Sequence, residues 1–204
     1  MRSRRGTRAS RASPGPRRSL RGTLPLPDRP APAAAHVHTG LEVRGLLARA
    51  ARIRLVLLDV DGVLTDGRIW YGPEGEALKA FDVRDGHGIV LLRDHIDFGV
   101  ISGRPGRATE RRLEELRFRH RIFAQRDKLA GYAKLAPFRI RDAEVAYMGD
   151  DVNDLPLLAR VGLAACPADA RPEVRAAVHF VTAARGGRGA VRELCDLILA
   201  AKGL

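Results

Sequence analysis

Cysteine and aromatic residues are scarce in this chain of 204 residues, and their scarcity argues against several classes of protein. The two cysteines, Cys166 and Cys195, form no CxxC pair, which argues against a zinc motif or a disulfide framework and favours buried thiols in a reducing cytoplasm. Aromatic residues make up 5% of the chain and accompany no basic stripe, so a nucleic-acid-binding domain is not expected. The sequence has no run of 18 apolar residues and no apolar signal segment ahead of the domain, so we expect neither membrane insertion nor secretion.

Acidic residues and lysine are almost absent from residues 1–40, which hold nine arginines and a single acid, Asp28. This segment therefore carries +8 of the net charge of +12, and the remaining 164 residues carry only +4. Because few large apolar residues occur here, we expect residues 1–45 to be a disordered tail and residues 46–204 to form the folded domain. The tail can be interpreted as a solvated extension, as a tether for nucleic acid or another acidic surface, or as a transit peptide.

Short apolar runs alternate with helical segments from about residue 41 onward. This alternation predicts an α/β fold with a Rossmann-like parallel sheet and helices on both faces. The predicted strands are 54–58, 98–101, 121–124, 145–148, 162–165 and 179–181, and the predicted helices are 41–51, 88–95, 105–116, 128–135, 153–159, 172–177 and 190–201. Strands 68–71 and 77–81 around a turn at 72–75 predict a small hairpin flap. Only about 35 residues lie between Gly67 and Ser102, too few for a second domain.

Aspartates are concentrated in two short clusters, each placed directly after an apolar run. Asp59 and Asp61 follow residues 53–58, and the cluster 150–154 follows residues 145–148. Because ligands of open α/β sheets bind beyond the carboxyl ends of the strands, both clusters are expected at one edge of the sheet. Carboxylates packed this closely are costly without a cation, and oxygen ligands indicate a hard ion such as Mg²⁺ beside a substrate phosphate.

Four motifs occur in a fixed order: DxDGVxTDG at residues 59–67, ISGR at 101–104, the lone Lys128, and GDDxND at 149–154. Together they resemble the motifs of the haloacid dehalogenase superfamily of phosphatases. Two further segments, FDVRDGHG at residues 81–88 and GGRGAVRE at 186–193, are similar to the 3-deoxy-D-manno-octulosonate 8-phosphate phosphatase subfamily. The resemblance covers about residues 53–201, and it implies a phosphatase domain that has no large cap domain.

The resemblance implies a role for each motif residue. Asp59 would be the nucleophile that forms an aspartyl-phosphate, and Asp61 would be the general acid and then the base for the incoming water. Asp59, Asp61 and Asp150 would hold Mg²⁺. Ser102 and Lys128 would bind the phosphoryl group and complete the catalytic set.

Ordinary structural roles are available to the same residues. An aspartate before a glycine, such as Asp61, is a common turn residue. Ser102 can close a turn at the end of a strand. Lys128 can be a solvated lysine at a helix start, with Lys134 as a competitor for its catalytic role. Asp154 can hold the waters of the ion, orient its neighbours or cap a helix.

Basic residues near the motifs are candidates for binding a sugar acid, because guanidinium groups recognise carboxylates in bidentate fashion. The resemblance implies substrate contacts from Asp61, Asp82, Arg84, Arg104, Arg112, Lys128 and Arg188. Asp82 stands where the subfamily pattern has an asparagine, so a side chain without donors replaces an amide. A solvated basic helix face is the alternative for Arg112 and its neighbour Arg111.

The same resemblance implies a homotetramer with shared active sites, in which the hairpin packs between subunits and residues 186–192 cover a neighbour's site. It implies a cytoplasmic, Mg²⁺-dependent phosphatase of 3-deoxy-D-manno-octulosonate 8-phosphate, a step of lipopolysaccharide sugar synthesis. Two alternatives stay open: a phosphatase of a nonulosonate 9-phosphate, and a non-catalytic module associated with sugar-nucleotide synthesis. The expected partners are a phosphorylated sugar acid and further copies of the chain, and neither a membrane nor nucleic acid.

Overall fold

The computed structural model describes residues 40–204, with side chains from Val43 onward, so most of the expected tail lies outside this range. The described chain forms a six-stranded parallel sheet and a two-stranded antiparallel hairpin. The strands of the sheet are β1 Leu55–Leu58, β4 Asp97–Ile101, β5 His120–Ile122, β6 Val145–Met148, β7 Leu163–Cys166 and β8 Phe180–Val181, and those of the hairpin are β2 Trp70–Gly72 and β3 Gly75–Leu78. The order across the sheet is β5-β4-β1-β6-β7-β8.

Helices cover both faces of the sheet. They are α1 Gly40–Ala51, α2 Val83–Leu92, α3 Arg107–Glu115, α4 Lys128–Ala133, α5 Leu155–Leu158, α6 Pro172–Ala177 and α7 Ala190–Lys202. The helices α1, α2 and α7 pack together on one face, and α4, α5 and α6 lie on the other. The predicted Rossmann-like α/β fold is therefore confirmed.

The central strand β1 needs both helical layers. All four of its side chains are buried: Val56 and Leu58 face the layer of α1, α2 and α7, whereas Leu55 and Leu57 face the opposite layer. A continuous apolar run is typical of a parallel strand that is covered on both faces. Because β1 is packed on both sides, the residues that follow it have a rigid support.

Helix α2 begins five residues earlier than predicted. The carboxylate of Asp82 caps the helix by accepting the N–H of Arg84 at 2.7 Å, and Val83 becomes its first residue. Gly88, which suggested a helix start, lies inside the helix. There α7 packs so closely that a Cβ on Gly88 would lie 3.1 Å from the Cβ of Cys195. The glycine therefore serves a close helix contact rather than a helix boundary.

The hairpin of β2 and β3 lies between β1 and α2, with Pro73 and Glu74 at its turn. Its strands are shorter than predicted and largely exposed: Trp70 is 58% exposed, Tyr71 68% and Leu78 66%. Since no larger insertion occurs in residues 40–204, the described domain has no large cap and the sheet edge stays open. Across the same residues, no helix combines the length and apolar character that crossing a membrane requires.

Candidate active site

The strand register brings the two aspartate clusters side by side. In the parallel pairing of β1 with β6, Leu58 lies opposite Met148. Asp59 directly follows Leu58, and Asp150 comes two residues after Met148, so both lie beyond the ends of neighbouring strands. The strand β4, on the other side of β1, leads to Ser102 at the same edge. The predicted motifs therefore meet where the strand order of the open sheet reverses.

Asp59 is held in one orientation by two donors. Its Oδ1 accepts the N–H of Val60 at 2.7 Å, and its Oδ2 lies 2.8 Å from Nζ of Lys128. The side chain of Lys128 is 1% exposed and also donates to the carbonyl oxygen of Ile101 at 2.9 Å. Burial raises the pKa of Asp59 to about 6, against the lowering effect of the Lys128 ammonium. Lys128 thus occupies the position beside Asp59, whereas Lys134 is exposed.

The second cluster is ordered by Asp154, which is fully buried. One of its oxygens accepts the N–H groups of Asp150 and Asp151 at 2.9 and 3.2 Å. The other accepts the hydroxyl of Tyr147 at 2.6 Å and lies 3.2 Å from Nζ of Lys128. Burial raises the pKa of Tyr147 well above its ordinary value, so its hydroxyl remains a donor. Because both carboxylate oxygens are engaged, Asp154 orients the loop.

Three carboxylates of the site are close enough together to bind one cation. Carboxylate oxygens of Asp59, Asp150 and Asp154 lie within 4.8 Å of one another. Burial and the nearby charge of Asp59 raise the pKa of Asp150 to about 8. A carboxyl group in such surroundings keeps its proton near neutral pH unless a cation compensates its charge. Since hydrogen bonds occupy Asp154, Asp59 and Asp150 are the side chains best placed to bind Mg²⁺, which prefers oxygen ligands.

Gly62 allows the loop after β1 to pass close to the second cluster. Its φ angle is +87°, and a Cβ at this position would collide with the carboxylate of Asp150. The backbone conformation and the lack of space therefore both favour glycine. The turn closes with a hydrogen bond of 3.0 Å from the N–H of Thr65 to the carbonyl oxygen of Val60.

Asp61 has a partner that sequence reasoning missed. Lys79, one residue after β3, has a side chain that is 1% exposed. Its Nζ lies 2.6 Å from Oδ1 of Asp61 and 3.6 Å from Oε1 of Glu76. This lysine therefore holds the Asp61 carboxylate, which is absent from the set of acidic groups, among the described residues, whose oxygens lie close enough together to share one ion. The chain has only four lysines, and this scarcity is the sequence feature that could have drawn attention to Lys79.

A cavity of about 810 Å³ opens above these groups. Six of the predicted site residues line it: Asp59, Asp61, Ser102, Arg104, Lys128 and Asp150. Asp59, Lys128 and Asp150 form what we name the floor of the cavity. Arg104 and Arg126, together with Tyr71 of the hairpin, which accepts a hydrogen bond from Arg104, form what we name its rim.

Ser102 closes a turn at the end of β4. Its hydroxyl accepts the N–H of Arg104 at 3.2 Å and lies 3.1 Å from the carbonyl oxygen of the same residue. The structural alternative for Ser102 is therefore present, although the residue also lines the cavity. The Arg104 guanidinium donates to the hydroxyl of Tyr71 at 3.4 Å. Arg126, which was not among the predicted site residues, lines the same cavity beside Gly103.

The remaining four predicted substrate residues, Asp82, Arg84, Arg112 and Arg188, lie outside the cavity lining of their own chain. The hydrogen-bonded ion pair between Arg84 and Asp82, 2.7 Å long, lowers the pKa of the Asp82 carboxyl. Arg84 also donates to the carbonyl oxygen of Arg188 at 2.9 Å. Arg112 packs separately against Gly86, where a Cβ would collide with the Arg112 guanidinium. Within one chain, Asp82, Arg84 and Arg188 therefore contact one another, and Arg112 lies apart from them.

The glycine-rich segment 186–189 packs against the first aspartate loop of its own chain. The N–H of Gly187 donates to the carbonyl oxygen of Val63 at 2.9 Å. Gly186 lies so close to Gly62 that a Cβ would collide with the carbonyl oxygen of Gly62. In the described chain this segment therefore supports the loop after β1 and leads into α7.

Comparisons with known proteins show the family of the chain. Residues 122–194 match a family model described as haloacid dehalogenase-like hydrolase. The 3-deoxy-D-manno-octulosonate 8-phosphate phosphatase KdsC of Yersinia pestis is 48% identical over 159 residues, which cover 77% of this chain and 85% of that protein. A crystal structure of this phosphatase from Yersinia pestis aligns with a TM-score of 0.76 over 78% of this chain and 87% of that chain.

Two other similar proteins have been solved with a metal ion bound. The 3-deoxy-D-manno-octulosonate 8-phosphate phosphatase of Moraxella catarrhalis, in complex with magnesium ion, phosphate ion and a KDO molecule, is 38% identical, with a TM-score of 0.75 over 78% of this chain and 92% of that chain. The cobalt-bound deoxy-D-mannose-octulosonate 8-phosphate phosphatase of Haemophilus influenzae is 39% identical, with a TM-score of 0.74 over 76% and 92%. The chain therefore belongs to the haloacid dehalogenase superfamily, in its 3-deoxy-D-manno-octulosonate 8-phosphate phosphatase subfamily.

Proposed function

We propose that this protein is a Mg²⁺-dependent phosphatase that hydrolyses 3-deoxy-D-manno-octulosonate 8-phosphate to the free sugar acid and phosphate. One observation carries the proposal. The buried Asp59 carboxylate faces an open cavity, with the Lys128 ammonium at 2.8 Å and the Asp150 carboxylate within ligand distance of one cation. This arrangement offers a nucleophile and positive charge to a phosphoryl group. The names of the curated relatives support the choice of substrate.

In the proposed reaction, the phosphoryl group lies between Lys128 and the turn at Ser102. A carboxylate oxygen of Asp59 attacks phosphorus and forms an aspartyl-phosphate, while Asp61 gives a proton to the leaving oxygen. Asp61 then takes a proton from the water that hydrolyses this intermediate. The side chains of Asp59 and Asp150 and the carbonyl of Asp61 would hold Mg²⁺, which when bound supplies positive charge to the phosphoryl oxygens. The crowded carboxylates described above fit such an ion.

Recognition of the sugar acid needs cations near the rim, because the substrate carries a carboxylate besides its phosphate. Arg104 and Arg126 line the cavity within one chain and are suited to this role. Arg84, Arg112 and Arg188 lie outside it, so we propose that they serve the site of a neighbouring subunit. The enzyme would then act as a homotetramer with shared active sites, in the cytoplasm.

The exposed hairpin supports this assembly. Trp70, Tyr71 and Leu78 are each more than half exposed, and such a group of apolar side chains is typical of a contact surface. Replacing Trp70 and Leu78 by serine is expected to dissociate the assembly, as measured by light scattering after size-exclusion chromatography. Leu204→Ser, which removes a similarly exposed apolar side chain outside the hairpin, serves as the control. An unchanged mass for the hairpin variant would contradict the role of the hairpin.

The test of the proposed function is phosphate release from a panel of phosphorylated sugar acids, with Mg²⁺ and with chelator. We expect metal-dependent release that is fastest from the eight-carbon acid. A preference for a nine-carbon acid would keep the mechanism and change the substrate. This outcome stays open because Asp82 stands where the subfamily pattern has an asparagine. No release from any member of the panel would contradict the proposed enzyme and favour the non-catalytic module.

A further inference from the structure

Asp59 and Asp61 of the first motif each have their own buried lysine. The chain has four lysines among its 36 basic residues, and two of them, Lys79 and Lys128, have side chains that are only 1% exposed. Lys128 lies 2.8 Å from Asp59, and Lys79 lies 2.6 Å from Asp61. The proposed chemistry explains Lys128, which faces the phosphoryl site. It does not explain Lys79, which comes from the hairpin.

The contacts of Asp61 differ from those of Asp59. Asp59 receives a backbone N–H in addition to its lysine. In the part of the chain that the structure describes, the recorded hydrogen bond to the Asp61 carboxylate is the one from Lys79. The backbone after Asp61 also turns sharply, since Gly62 has a φ angle of +87°. The direction of the Asp61 carboxyl group therefore depends on the hairpin.

The hairpin contacts both sides of the cavity. On one side Lys79 reaches Asp61. On the other side, Tyr71 accepts a hydrogen bond from Arg104, and the carboxylate of Glu76 lies 2.8 Å from where a Cβ would stand on Gly106. Glu76 also lies 3.6 Å from the Lys79 ammonium, and the contact of that ammonium with Asp61 joins the hairpin to the loop that carries Asp61. A displacement of the hairpin is therefore expected to move the Asp61 carboxyl group as well.

We propose that Lys79 is a positioning residue, whose ammonium holds the Asp61 carboxyl group where it can exchange a proton with the leaving oxygen. This inference rests on the proposed function. As the phosphorus–oxygen bond to the sugar breaks and the bond to Asp59 forms, the proton of Asp61 passes to the leaving oxygen. Asp61 recovers a proton from the water that later attacks the intermediate. Since one carboxyl oxygen stays an acceptor in either state, Lys79 can hold Asp61 through both steps.

The test compares leaving groups that do and do not need a proton. The variants are Lys79→Met, Lys79→Arg and Asp61→Asn, and the control is Lys202→Met, whose ammonium bonds the carbonyl of Ala51. Single-turnover release of the leaving group is measured with 3-deoxy-D-manno-octulosonate 8-phosphate and with 4-nitrophenyl phosphate. Nitrophenolate leaves without a proton, whereas the sugar alkoxide requires one.

We expect Lys79→Met to slow release of the sugar by about 10- to 100-fold, as partial loss of general-acid catalysis would. Release of nitrophenolate in the first turnover should change by less than about threefold, because that step needs no acid. Lys79→Arg should recover part of the loss. The double variant Lys79→Met with Asp61→Asn should be no slower than Asp61→Asn alone, because both changes act through one group. Lys202→Met should behave as the unmodified protein.

Equal slowing of both substrates by Lys79→Met, or of neither, would overturn the role of Lys79. If Asp61→Asn itself shows no dependence on the leaving group, the proposed mechanism fails before the question of Lys79 arises. If Asp61→Asn shows that dependence and Lys79→Met does not, only the inference about Lys79 fails. If Lys79→Met does not fold, as judged by circular dichroism, the double variant Glu76→Gln with Lys79→Met is used instead, because it also removes the Glu76 carboxylate that loses its partner. The release rates of the two leaving groups from this variant then test the role of Lys79.

Discussion

The floor of the cavity is buried or half-buried and held by hydrogen bonds, whereas its rim is exposed and held by few contacts. On the floor, the Lys128 ammonium contacts two carboxylates and a carbonyl oxygen, and Asp59 also receives a backbone N–H. On the rim, the Arg104 guanidinium has one hydrogen bond among the described residues, to Tyr71, and Arg126 has an exposed side chain. The floor fits chemistry common to phosphate monoesters, and the rim fits the selection among them.

This difference has a physical basis. Buried charges require partners and fixed geometry, so the floor tolerates little change. Exposed guanidinium groups are solvated without partners, so the rim can vary at small cost to the fold. We therefore expect changes on the floor to affect every substrate, and changes on the rim to affect only substrates that carry a carboxylate.

The largest effect is expected for Asp59→Asn. Without the nucleophile, turnover of every phosphate ester should fall by about 10⁴-fold or more, since no aspartyl-phosphate can form. The measurement is phosphate release, with circular dichroism to verify folding. Asp196→Asn, which removes an exposed carboxylate paired with Arg192, is the control. A variant that retains a tenth of the original rate would contradict the assignment of the nucleophile.

A somewhat smaller effect is expected for Lys128→Met. The rate should fall by about 10²- to 10³-fold on both the sugar phosphate and 4-nitrophenyl phosphate, because a positioned cation is lost. The free energy of unfolding should fall by about 3–5 kcal/mol at pH 8, because the buried carboxylates of Asp59 and Asp154 lose their partner. Lys134→Met, at the other end of α4 and exposed, is the matched control for rate and for stability. A larger effect at Lys134 would reverse the assignment.

Binding of Mg²⁺ is expected to depend on pH through Asp150. Its pKa of about 8 in the metal-free protein lies above the ordinary value of 3.8, so Mg²⁺ has to displace a proton at neutral pH. The apparent affinity should fall by up to about tenfold for each pH unit below 8, as measured by calorimetry in buffers of different ionisation enthalpy.

The same pKa sets the sign of the stability change. A raised pKa means that the folded protein favours the protonated Asp150, so the stability of the metal-free protein should fall as pH rises from about 4 to 8. Mg²⁺ should therefore raise the melting temperature more at pH 8 than at pH 6. Asp150→Asn should remove the fall in stability between about pH 6 and pH 8 and most of the Mg²⁺ effect, while the fall below pH 6 should persist because the pKa of Asp59 is also raised, to about 6. An equal shift at the two pH values in the unmodified protein would contradict this account.

The smallest effect is expected on the rim. Arg104→Ala and Arg126→Ala should each raise KM for a phosphorylated sugar acid by about 10-fold, the value of one charge-assisted hydrogen bond. KM for 4-nitrophenyl phosphate, which has no carboxylate, should change less than about twofold. Arg107→Ala, an exposed arginine outside the cavity lining, is the control. Equal changes for both substrates would mean that these arginines bind the phosphate.

Much of the floor could be predicted from the sequence, because local signals coincide there. The apolar runs before Asp59 and Asp150 identify buried parallel strands, and parallel strands in adjacent register carry their following residues to one edge. The loop chemistry is equally local, since Gly62 is required by its own φ angle and by the nearby Asp150 carboxylate. The α/β fold and the neighbourhood of the two clusters follow from such patterns.

Contacts between distant elements could not be predicted in this way. Nothing near Lys79 in the sequence indicates that its ammonium reaches Asp61, because the contact depends on how the hairpin folds back over the sheet edge. In the same way, Asp82 starts α2 and binds Arg84, while Arg112 packs against Gly86 away from the cavity of its own chain. Short-range periodicity and spacing predicted the fold class and the two aspartates of the floor, and the resemblance of the motifs predicted Lys128. The partners of Asp61 and the composition of the rim were decided by the tertiary structure, because long side chains find their contacts only after the elements have packed.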